Sequence, residues 1–321
     1  MMNPLFVMTM ALLLAADALA AGALDQPTPS DRLSRFATAA VRSVQSDKPD
    51  YRLQDDQIAV TIIQLPPSDA PKAATMGHFR GDELIYPASV VKLFYLAHAH
   101  HLIHQGTLQD TPELRRGLRE MIVASDNDAT SYVLYAITDA PNGVELPEKE
   151  MADWSHKRNA VNRFFASMGY PPLNACQCAY SFGPFGRERI FLGEKYTNRN
   201  MLSTNATSLL MYHIVTRQMV SPQACEDMLS LLERNRAATR PSDADNQTFG
   251  YTAGGLPNGW NLFSKAGWTS TARHDTAYVE SPDGKTKLVL TVFTTGHARR
   301  RDIIPAVVRS VIAQIGAQPQ R

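Results

Sequence analysis

Ser89 and Lys92 lie three positions apart at the start of a predicted helix, directly after Pro87. Residues with this spacing share one face of a helix, so both side chains project to the same side. A serine hydroxyl becomes a good nucleophile when a base removes its proton, and an amine can do this if burial and a second cation lower its pKa. The unpaired N–H groups of a first helical turn can also stabilise an oxyanion. The pair therefore predicts an acyl-transfer centre with Ser89 as nucleophile and Lys92 as base.

Two more polar motifs follow along the chain. A Ser-Asp-Asn sequence at 125–127 comes after a predicted helix over 112–123, and a Lys-Ala-Gly sequence at 265–267 lies on a predicted strand over 262–268. Each short motif is weak evidence by itself, because such matches arise by chance. Their order agrees with their placement on a helix start, a loop between helices and a late strand. The three motifs in this order are the feature on which a family resemblance depends.

This set of motifs resembles the class A β-lactamases and penicillin-binding proteins, the penicillin-recognising serine hydrolases that carry S-x-x-K, S-D-N and K-T-G. Ala266 stands where the third motif usually has Thr. The resemblance covers nearly the whole mature chain. It implies an α+β fold, an acyl-enzyme on Ser89, no cofactor or metal, and a small amide substrate, either a β-lactam or a peptidoglycan peptide.

The resemblance also implies a role for each polar residue of the first two motifs. Ser89 would attack the amide carbonyl, and its N–H together with that of Trp268 would form the oxyanion hole. Ser125 would relay a proton to the leaving nitrogen, while Asn127 would hold the side-chain amide of the substrate. Asp126 would fix the loop rather than take part in the chemistry.

The strand motif is expected to form the other wall of the pocket. Lys265, beside Thr269 and Ser270, would recognise a substrate carboxylate and would help to keep Lys92 neutral. Gly267 would let a substrate lie against the strand, because it has no side chain to block the approach.

Turnover of a β-lactam also needs a water that attacks the acyl-enzyme, and the resemblance to class A enzymes implies a loop Glu that activates it, with an Asn four positions later. The predicted irregular region over 171–200 offers two candidates. Glu194 has the matching Asn198 but lies close to the next helix and lacks a Leu before the Asn. Glu188 is better spaced from that helix, but Leu192 stands where the Asn belongs. Glu194 is the preferred base; if neither Glu reaches the site, acylation should occur and deacylation should be slow.

Two further departures concern the shape of the pocket. Ser89 and Ser125 are 36 positions apart, which is fewer than in ordinary class A enzymes, so part of the helical rim is expected to be missing. Trp268 is unusually bulky for its place directly after the third motif, and it would narrow the strand side or stack on the substrate.

The elements that must position these motifs follow from hydrophobic periodicity and turn residues. A helix is predicted from Leu33 to Val44 behind a Ser30 cap, and a strand over 58–65. Helices are predicted over 90–103, 112–123, 129–137 and 160–168, strands over 262–268, 276–280 and 287–294, and a last helix over 304–315. This order predicts a mainly antiparallel sheet, flanked by N- and C-terminal helices, in a discontinuous α/β domain over 30–86 and 211–321. An all-helical domain over 87–210 is inserted between them.

Composition excludes several classes of protein. The 321 residues carry 32 Lys+Arg against 31 Asp+Glu, a net charge of +1, which argues against nucleic-acid binding and against a polybasic membrane surface. With 44% apolar and 20% charged residues, the chain is neither disordered nor a polytopic membrane protein. A monomer is expected.

The N-terminus predicts export. Residues 4–16 form an apolar run that is too short to span a bilayer but suits a secretory signal, and a small-x-small cleavage pattern ends at Ala20. The predicted signal peptide is therefore 1–20, and the mature protein would be periplasmic or secreted, with no membrane segment. In an oxidising compartment Cys225 could pair with Cys176 or Cys178, or all three thiols could stay reduced.

Other readings of the chain remain open. His100 and His104 have the i, i+4 spacing of zinc ligands, but no third ligand is evident, so no metal site is predicted. One rival function is a DD-peptidase-like or other amide or ester hydrolase with slow β-lactam turnover. The other is a non-catalytic periplasmic sensor of the same fold, which the polar residues at all three motifs disfavour.

Overall fold

The computed structural model describes residues 24–67, 73–180, 183–236 and 247–317, so the predicted signal peptide lies outside the described residues. The strands are β1 (Thr28–Pro29), β2 (Ile58–Leu65), β3 (Thr75–Phe79), β4 (Asn261–Trp268), β5 (Ala272–Glu280) and β6 (Lys287–Thr295). The helices are α1 (Asp31–Asp47), α2 (Lys92–His104), α3 (Pro112–Arg119), α4 (Asn127–Thr138), α5 (Glu148–Arg158), α6 (Ala160–Ser167), α7 (Gly186–Leu192), α8 (Thr204–Val215), α9 (Pro222–Leu232) and α10 (Ile303–Gly316).

The strands form one sheet in the order β1-β3-β2-β6-β5-β4. All neighbouring strands are antiparallel except β1 and β3, which are parallel. The N-terminal strand β2 pairs with the C-terminal strand β6, with Val60 opposite Val292, so both ends of the chain build the sheet. The predicted mainly antiparallel sheet is confirmed, and it leaves β4 at an edge where it can meet the helical layer.

The terminal helices α1 and α10 cover one face of the sheet. Ser30 caps α1 by accepting a hydrogen bond from Leu33 N at 3.3 Å, as its position before the apolar stripe predicts. Leu33 in α1 and Val308 in α10 are completely buried in one apolar cluster together with side chains of β2, β5 and β6. The predicted α+β arrangement of a sheet flanked by terminal helices is therefore confirmed.

The opposite face of the sheet carries α8 and then the remaining helices. Hydroxyl pairs join α8 to the sheet, with Thr204 Oγ1 2.8 Å from Thr61 Oγ1 and Ser208 Oγ 2.7 Å from Thr291 Oγ1. A second apolar cluster extends from this face through α2, α4, α6 and α9. The helix α2 is central to this layer and carries Lys92 at its first residue.

Of the described helices, α8 matches a helix expected after residue 200 without stated bounds, and α5, α7 and α9 lie outside the predicted elements. The helix α5 buries only Trp154 and Arg158, so it has no apolar stripe that periodicity could detect. The helix α7 falls within the region predicted to be irregular, and α9 was not predicted at all. The predicted domain boundary at residue 210 falls inside α8, and the division into 30–86 with 211–321 and 87–210 stays a prediction.

The cysteines resolve one of the open alternatives. Cys176, Cys178 and Cys225 are all free and buried, so the possible disulfide is not formed. Within the described ranges, no helix has the length and apolar character needed to cross a membrane.

Candidate active site

Ser89 lies in a tight helical turn between the sheet and α2. The turn is a 3-10 helix, Ala88–Val91, whose first hydrogen bond runs from Val90 N to Pro87 O at 3.1 Å. Ala88 adopts a φ of +47°, a region that L-residues rarely occupy, and such strain is concentrated at functional sites. The turn leaves Ser89 partly exposed at the start of α2.

The edge strand β4 approaches this turn very closely at Gly267. A Cβ atom at Gly267 would lie 2.7 Å from Pro87 O and 3.1 Å from Ser89 N. Because these atoms belong to the backbone, no side-chain rotation could relieve the contact. Gly267 thus makes room for the turn that holds Ser89, and its expected role in admitting substrate stays a prediction.

His274 on β5 fixes the chain just before the nucleophile turn. Its Nδ1 accepts a hydrogen bond from Thr294 N at 3.0 Å, so the ring proton lies on Nε2, which donates to Tyr86 O at 2.9 Å. Complete burial lowers the pKa of His274 to about 4, so the ring is neutral at physiological pH. The sequence analysis did not identify this residue, because the contact joins positions that are far apart in the chain.

Lys92 is 2% exposed, and its amine reaches the loop that carries the second motif. Lys92 Nζ lies 2.6 Å from Ser125 O, 2.9 Å from Asn127 Oδ1, 3.2 Å from Asp126 O and 3.4 Å from Ser125 Oγ. Burial lowers the pKa of Lys92 to about 7, with the charge of Asp126 acting in the opposite direction. An amine with this pKa is half neutral near pH 7 and can accept a proton.

The loop at Ser125 follows a π-helical turn, Glu120–Ala124, at the end of α3. Ser125 has a φ of +59°, which reverses the chain and directs its side chain toward the two lysines. Asp126 then caps α4 by accepting from Ala129 N at 2.6 Å. Asp126 thus has the loop-fixing contact that the sequence predicts for it.

Lys265 on β4 reaches Ser125 from the opposite side and is completely buried. Its Nζ lies 2.9 Å from Ser125 Oγ, 2.8 Å from Gln247 Oε1 and 2.8 Å from Ala266 O. Burial is the main cause that lowers the pKa of Lys265, and the nearby charge of Lys92 adds to it. Ser125 therefore lies between two buried amines.

The backbone of β4 presents one N–H group toward Ser89. Thr269 N donates to Ala272 O on β5 at 2.9 Å, and Ala266 N donates to Gln247 on the other side. Because N–H groups alternate along a strand, Trp268 N points to the same free edge as Ala266 N. Gly267, the residue before Trp268, lies against the Ser89 turn. The role of the Trp268 N–H in an oxyanion hole stays a prediction.

A cavity of about 140 Å³ opens beside Ser89. Of the predicted substrate-binding residues, Asn127, Trp268 and Thr269 line it, whereas Ser270 is exposed in the turn after β4. Trp268 is 52% exposed and offers an aromatic surface at the strand side. The remaining lining residues are Tyr86, Ala88, Val91, Lys92, Tyr95, Thr130, Gln177, Cys178, Ala179, Tyr180 and Asn200.

The structure places neither candidate glutamate in this lining. Glu194 is exposed in a turn after α7. Glu188 is 1% exposed and forms an ion pair at 2.7 Å with Arg158, and its other oxygen accepts from Cys178 N at 2.6 Å. Asn198, the predicted partner of Glu194, instead hydrogen-bonds Phe191 O. Among the described residues lining the cavity, none carries a carboxylate.

The side of the cavity formed by residues 171–200, the loop side, is lined by the amide side chains of Gln177 and Asn200. Asn200 Oδ1 accepts from Gln177 N at 2.8 Å and from Cys176 N at 2.9 Å. Gln177 Oε1 accepts from Asn200 N at 3.1 Å, and its Nε2 donates to the Tyr180 hydroxyl at 3.2 Å. Sequence reasoning missed Gln177 and Asn200, because the loop brings them together through contacts that no short motif records.

The histidines of α2 lie away from this cavity. His98 and His100 are buried, and burial lowers the pKa of both. In the described part of the chain, no three His, Cys, Asp or Glu side chains are arranged to hold a metal ion.

Comparison with known proteins places the site in a family. Residues 106–318, about two thirds of the chain, match the model of the beta-lactamase enzyme family. The match includes the second and third motifs and begins after Lys92. No curated protein matches the chain.

Solved structures share the fold at low sequence identity. A beta-lactamase from Sphaerobacter thermophilus DSM 20745 has a TM-score of 0.61 and 17% identity, covering 89% of this chain and 98% of that one. A beta-lactamase from Chitinophaga pinensis DSM 2588 has a TM-score of 0.62 and 16% identity, with coverage of 87% and 100%. The protein PBP-A has a TM-score of 0.59 and 17% identity, with coverage of 92% and 100%. From the family match and this shared fold, we conclude that the chain belongs to the beta-lactamase enzyme family.

Proposed function

We propose that this protein is an exported serine acyl-transfer enzyme that forms an acyl-enzyme at Ser89 with a β-lactam or a peptide amide and releases the acyl group slowly. The observation that supports this proposal is a difference between the two sides of the cavity beside Ser89. Two buried lysines contact Ser125, while amides and no carboxylate line the loop side among the described residues. The protein then resembles a peptidase or an acyl-trapping relative more than an efficient β-lactamase.

The acylation step is proposed from the three motifs and from the contacts of Lys92 with Ser125. Ser89 Oγ forms a bond to the amide carbonyl carbon as its proton passes to neutral Lys92, whose pKa of about 7 allows this. The oxyanion that develops is stabilised by the N–H groups of Ser89 and Trp268. When the C–N bond breaks, the nitrogen takes the Ser125 proton, and Lys92, 3.4 Å from Ser125 Oγ, replaces it. The proton balance closes, with Ser89 acylated and the amine protonated.

Deacylation needs a water molecule and a base on the loop side of the acyl group. A buried, ionised carboxylate is the usual base for such a step, because it can accept the proton of the attacking water. Gln177 and Asn200 occupy this side, and neither amide takes up a proton at neutral pH. Glu188 is engaged with Arg158 and Cys178 N, and Glu194 is exposed. Slow deacylation follows from this arrangement.

Intact-protein mass spectrometry tests the proposal directly. The mature protein is mixed with penicillin G, and its mass is followed from seconds to hours, with Ser89→Ala as the matched control. We expect an adduct of one penicillin that forms on the wild type, persists for at least minutes and is absent from the variant. An adduct that decays within seconds would contradict slow deacylation, and labelling of Ser89→Ala would contradict the assignment of the nucleophile.

A further inference from the structure

Gln247 makes four hydrogen bonds between the strand and the loop that carry the predicted catalytic residues. Its Oε1 accepts from Lys265 Nζ at 2.8 Å and from Ala266 N at 3.3 Å. Its Nε2 donates to Val123 O at 2.9 Å and to Ile122 O at 3.3 Å. A side-chain amide has two N–H donors and two acceptor lone pairs, so this one is fully used.

These bonds join β4 to the last turn before Ser125. Ile122 and Val123 belong to the π-helical turn that ends at Ser125, so their carbonyl groups lie at a helix end and need partners from outside the helix. Arg234 makes a parallel link, with its guanidinium 3.2 Å from Ile122 O and 2.8 Å from Ser264 O. The spacing between Lys265 and Ser125 is therefore held by side chains on both sides of the contact.

Gln247 also completes the surroundings of the Lys265 amine. A protonated lysine has three N–H donors, and Lys265 Nζ has three acceptors, namely Ser125 Oγ, Gln247 Oε1 and Ala266 O. With all three satisfied, the amine donates to Ser125 Oγ and leaves the Ser125 proton free to move to the leaving nitrogen. A deprotonated Lys265 would instead accept that proton and withdraw it from the reaction.

We infer that Gln247 is a positioning residue that keeps Lys265 protonated and aimed at Ser125, so that Ser125 can protonate the leaving group. This inference rests on the proposed acylation of Ser89. Gln247 is uncharged and lies outside the three motifs, yet in this inference it controls the proton that completes acylation.

Charged groups from three other elements face Lys265. Lys92 on α2 and Arg234 after α9 favour its neutral form, and Asp275 on β5 favours its protonated form. Burial also disfavours the charge. Within this balance, Gln247 supplies a neutral acceptor that favours the protonated amine. Its removal should lower the pKa of Lys265, whereas a carboxylate in its place should raise that pKa.

The test compares Gln247→Met with Gln247→Glu. We measure the second-order rate constant for acylation of Ser89 by a fluorescent penicillin from pH 5 to pH 10. Gln247→Met should acylate roughly 10- to 100-fold more slowly at neutral pH, because Lys265 and Ser125 lose their alignment. The alkaline limb of the profile should move to lower pH in Gln247→Met and to higher pH in Gln247→Glu, each by about one pH unit or more.

The control is Gln223→Glu, which adds the same charge at an exposed position in the first turn of α9. It should leave both the rate and the alkaline limb unchanged. A slower rate in both Gln247 variants with an unmoved alkaline limb would reduce Gln247 to a structural role and overturn the inference.

A second measurement does not depend on acylation. Nuclear magnetic resonance titration of ¹⁵N-labelled lysine amines should give the pKa order Gln247→Met below wild type below Gln247→Glu for Lys265. If wild type is not acylated, the proposed function fails, and this titration still decides whether Gln247 controls the Lys265 proton. An identical Lys265 titration in all three proteins would overturn that control.

Discussion

On one side of Ser89, here called the strand side, the amines of Lys92 on α2 and Lys265 on β4 both lie within 3.4 Å of the Ser125 hydroxyl oxygen. On the other side, the loop side, the cavity is lined by Gln177, Tyr180 and Asn200. The first side can take up a proton near neutral pH, because burial lowers the pKa of Lys92 to about 7. The second side can hold a molecule by hydrogen bonds, but none of its described lining residues is a carboxylate that could take up a proton. We therefore propose that acylation and deacylation depend on different sides of this cavity.

The two sides also differ in how their charges are buried. Lys92 lines the cavity and Lys265 contacts Ser125, and we propose that their burial serves proton transfer. The ion pair between Arg158 and Glu188 is also buried, with exposures of 0% and 1%, but Arg158 donates to Ala140 O and Glu188 accepts from Cys178 N in the loop. A buried charge can thus support either chemistry or structure, and only its contacts distinguish the two.

The largest expected effect is on the strand side, in Lys92→Met. This substitution removes the amine that accepts the Ser89 proton while keeping a side chain of similar length. We expect the acylation rate constant for penicillin G to fall by about 10²–10⁴. The measurement is the rate of adduct formation by stopped-flow mixing and mass spectrometry. A loss of less than tenfold would mean that another group activates Ser89.

On the loop side, Glu188→Gln should destabilise the protein by about 3–5 kcal/mol, because it leaves the Arg158 charge buried without a carboxylate. Urea unfolding measures the loss. The matched control is Glu145→Gln, which breaks an ion pair with Arg189 whose side chains are more than half exposed and should cost less than about 1 kcal/mol. Equal losses in the two variants would show that the buried pair does not hold the loop.

A carboxylate introduced on the loop side should remove the difference between the two sides of the cavity. In Gln177→Glu the new carboxylate would still accept from Asn200 N, now 3.1 Å from Oε1, and would face the cavity. We expect the penicillin adduct to decay about tenfold faster or more. Gln177→Met is the control and should show no faster decay. An unchanged lifetime in Gln177→Glu would mean that the missing carboxylate is not what slows deacylation.

The lowered pKa of Lys92 also predicts a pH dependence for acylation. Neutral Lys92 is the active form, and its pKa is lowered to about 7, so acylation should be fastest above pH 7. Below that value, the protonated fraction increases and the rate constant should fall about tenfold for each pH unit. Acylation rates of the wild type at constant ionic strength from pH 5 to pH 8 test this. A flat profile through pH 7 would contradict the role of Lys92 as base.

The smallest expected effect is that of Glu194→Gln. Glu194 is exposed and lies outside the lining of the cavity, so the lifetime of the penicillin adduct should not change. The lifetimes of wild type and variant are compared under identical conditions. A markedly longer lifetime in the variant would restore Glu194 as the deacylation base that its spacing to Asn198 predicts.

The sequence predicts the strand side of the site better than the loop side. Ser89 and Lys92 share a helix face, which their spacing predicts, and the resemblance to the penicillin-recognising serine hydrolases implies that the later motifs meet them. The terminal helices and the antiparallel sheet carry apolar stripes and alternation that reveal them in the same way.

The loop side depends on contacts that local patterns do not encode. Glu188 and Glu194 are six positions apart, and the spacing to Asn198 favours Glu194, while the spacing to the next helix favours Glu188. The buried partner of Glu188, however, is the distant residue Arg158 on α5. The helix α5 itself lacks an apolar stripe. Gln247 and His274 contact residues more than 100 positions away, so no motif could identify them.

The measurement that tests the central claim most directly is a pre-steady-state burst experiment with a chromogenic cephalosporin. Product is recorded from milliseconds to one hour at several enzyme concentrations. We expect an initial burst of one product molecule per enzyme molecule as Ser89 is acylated. A steady rate limited by deacylation should follow, at least about a hundredfold slower than the burst. A linear time course with rapid turnover and no burst would contradict it, because the acyl-enzyme would then be released as fast as it forms.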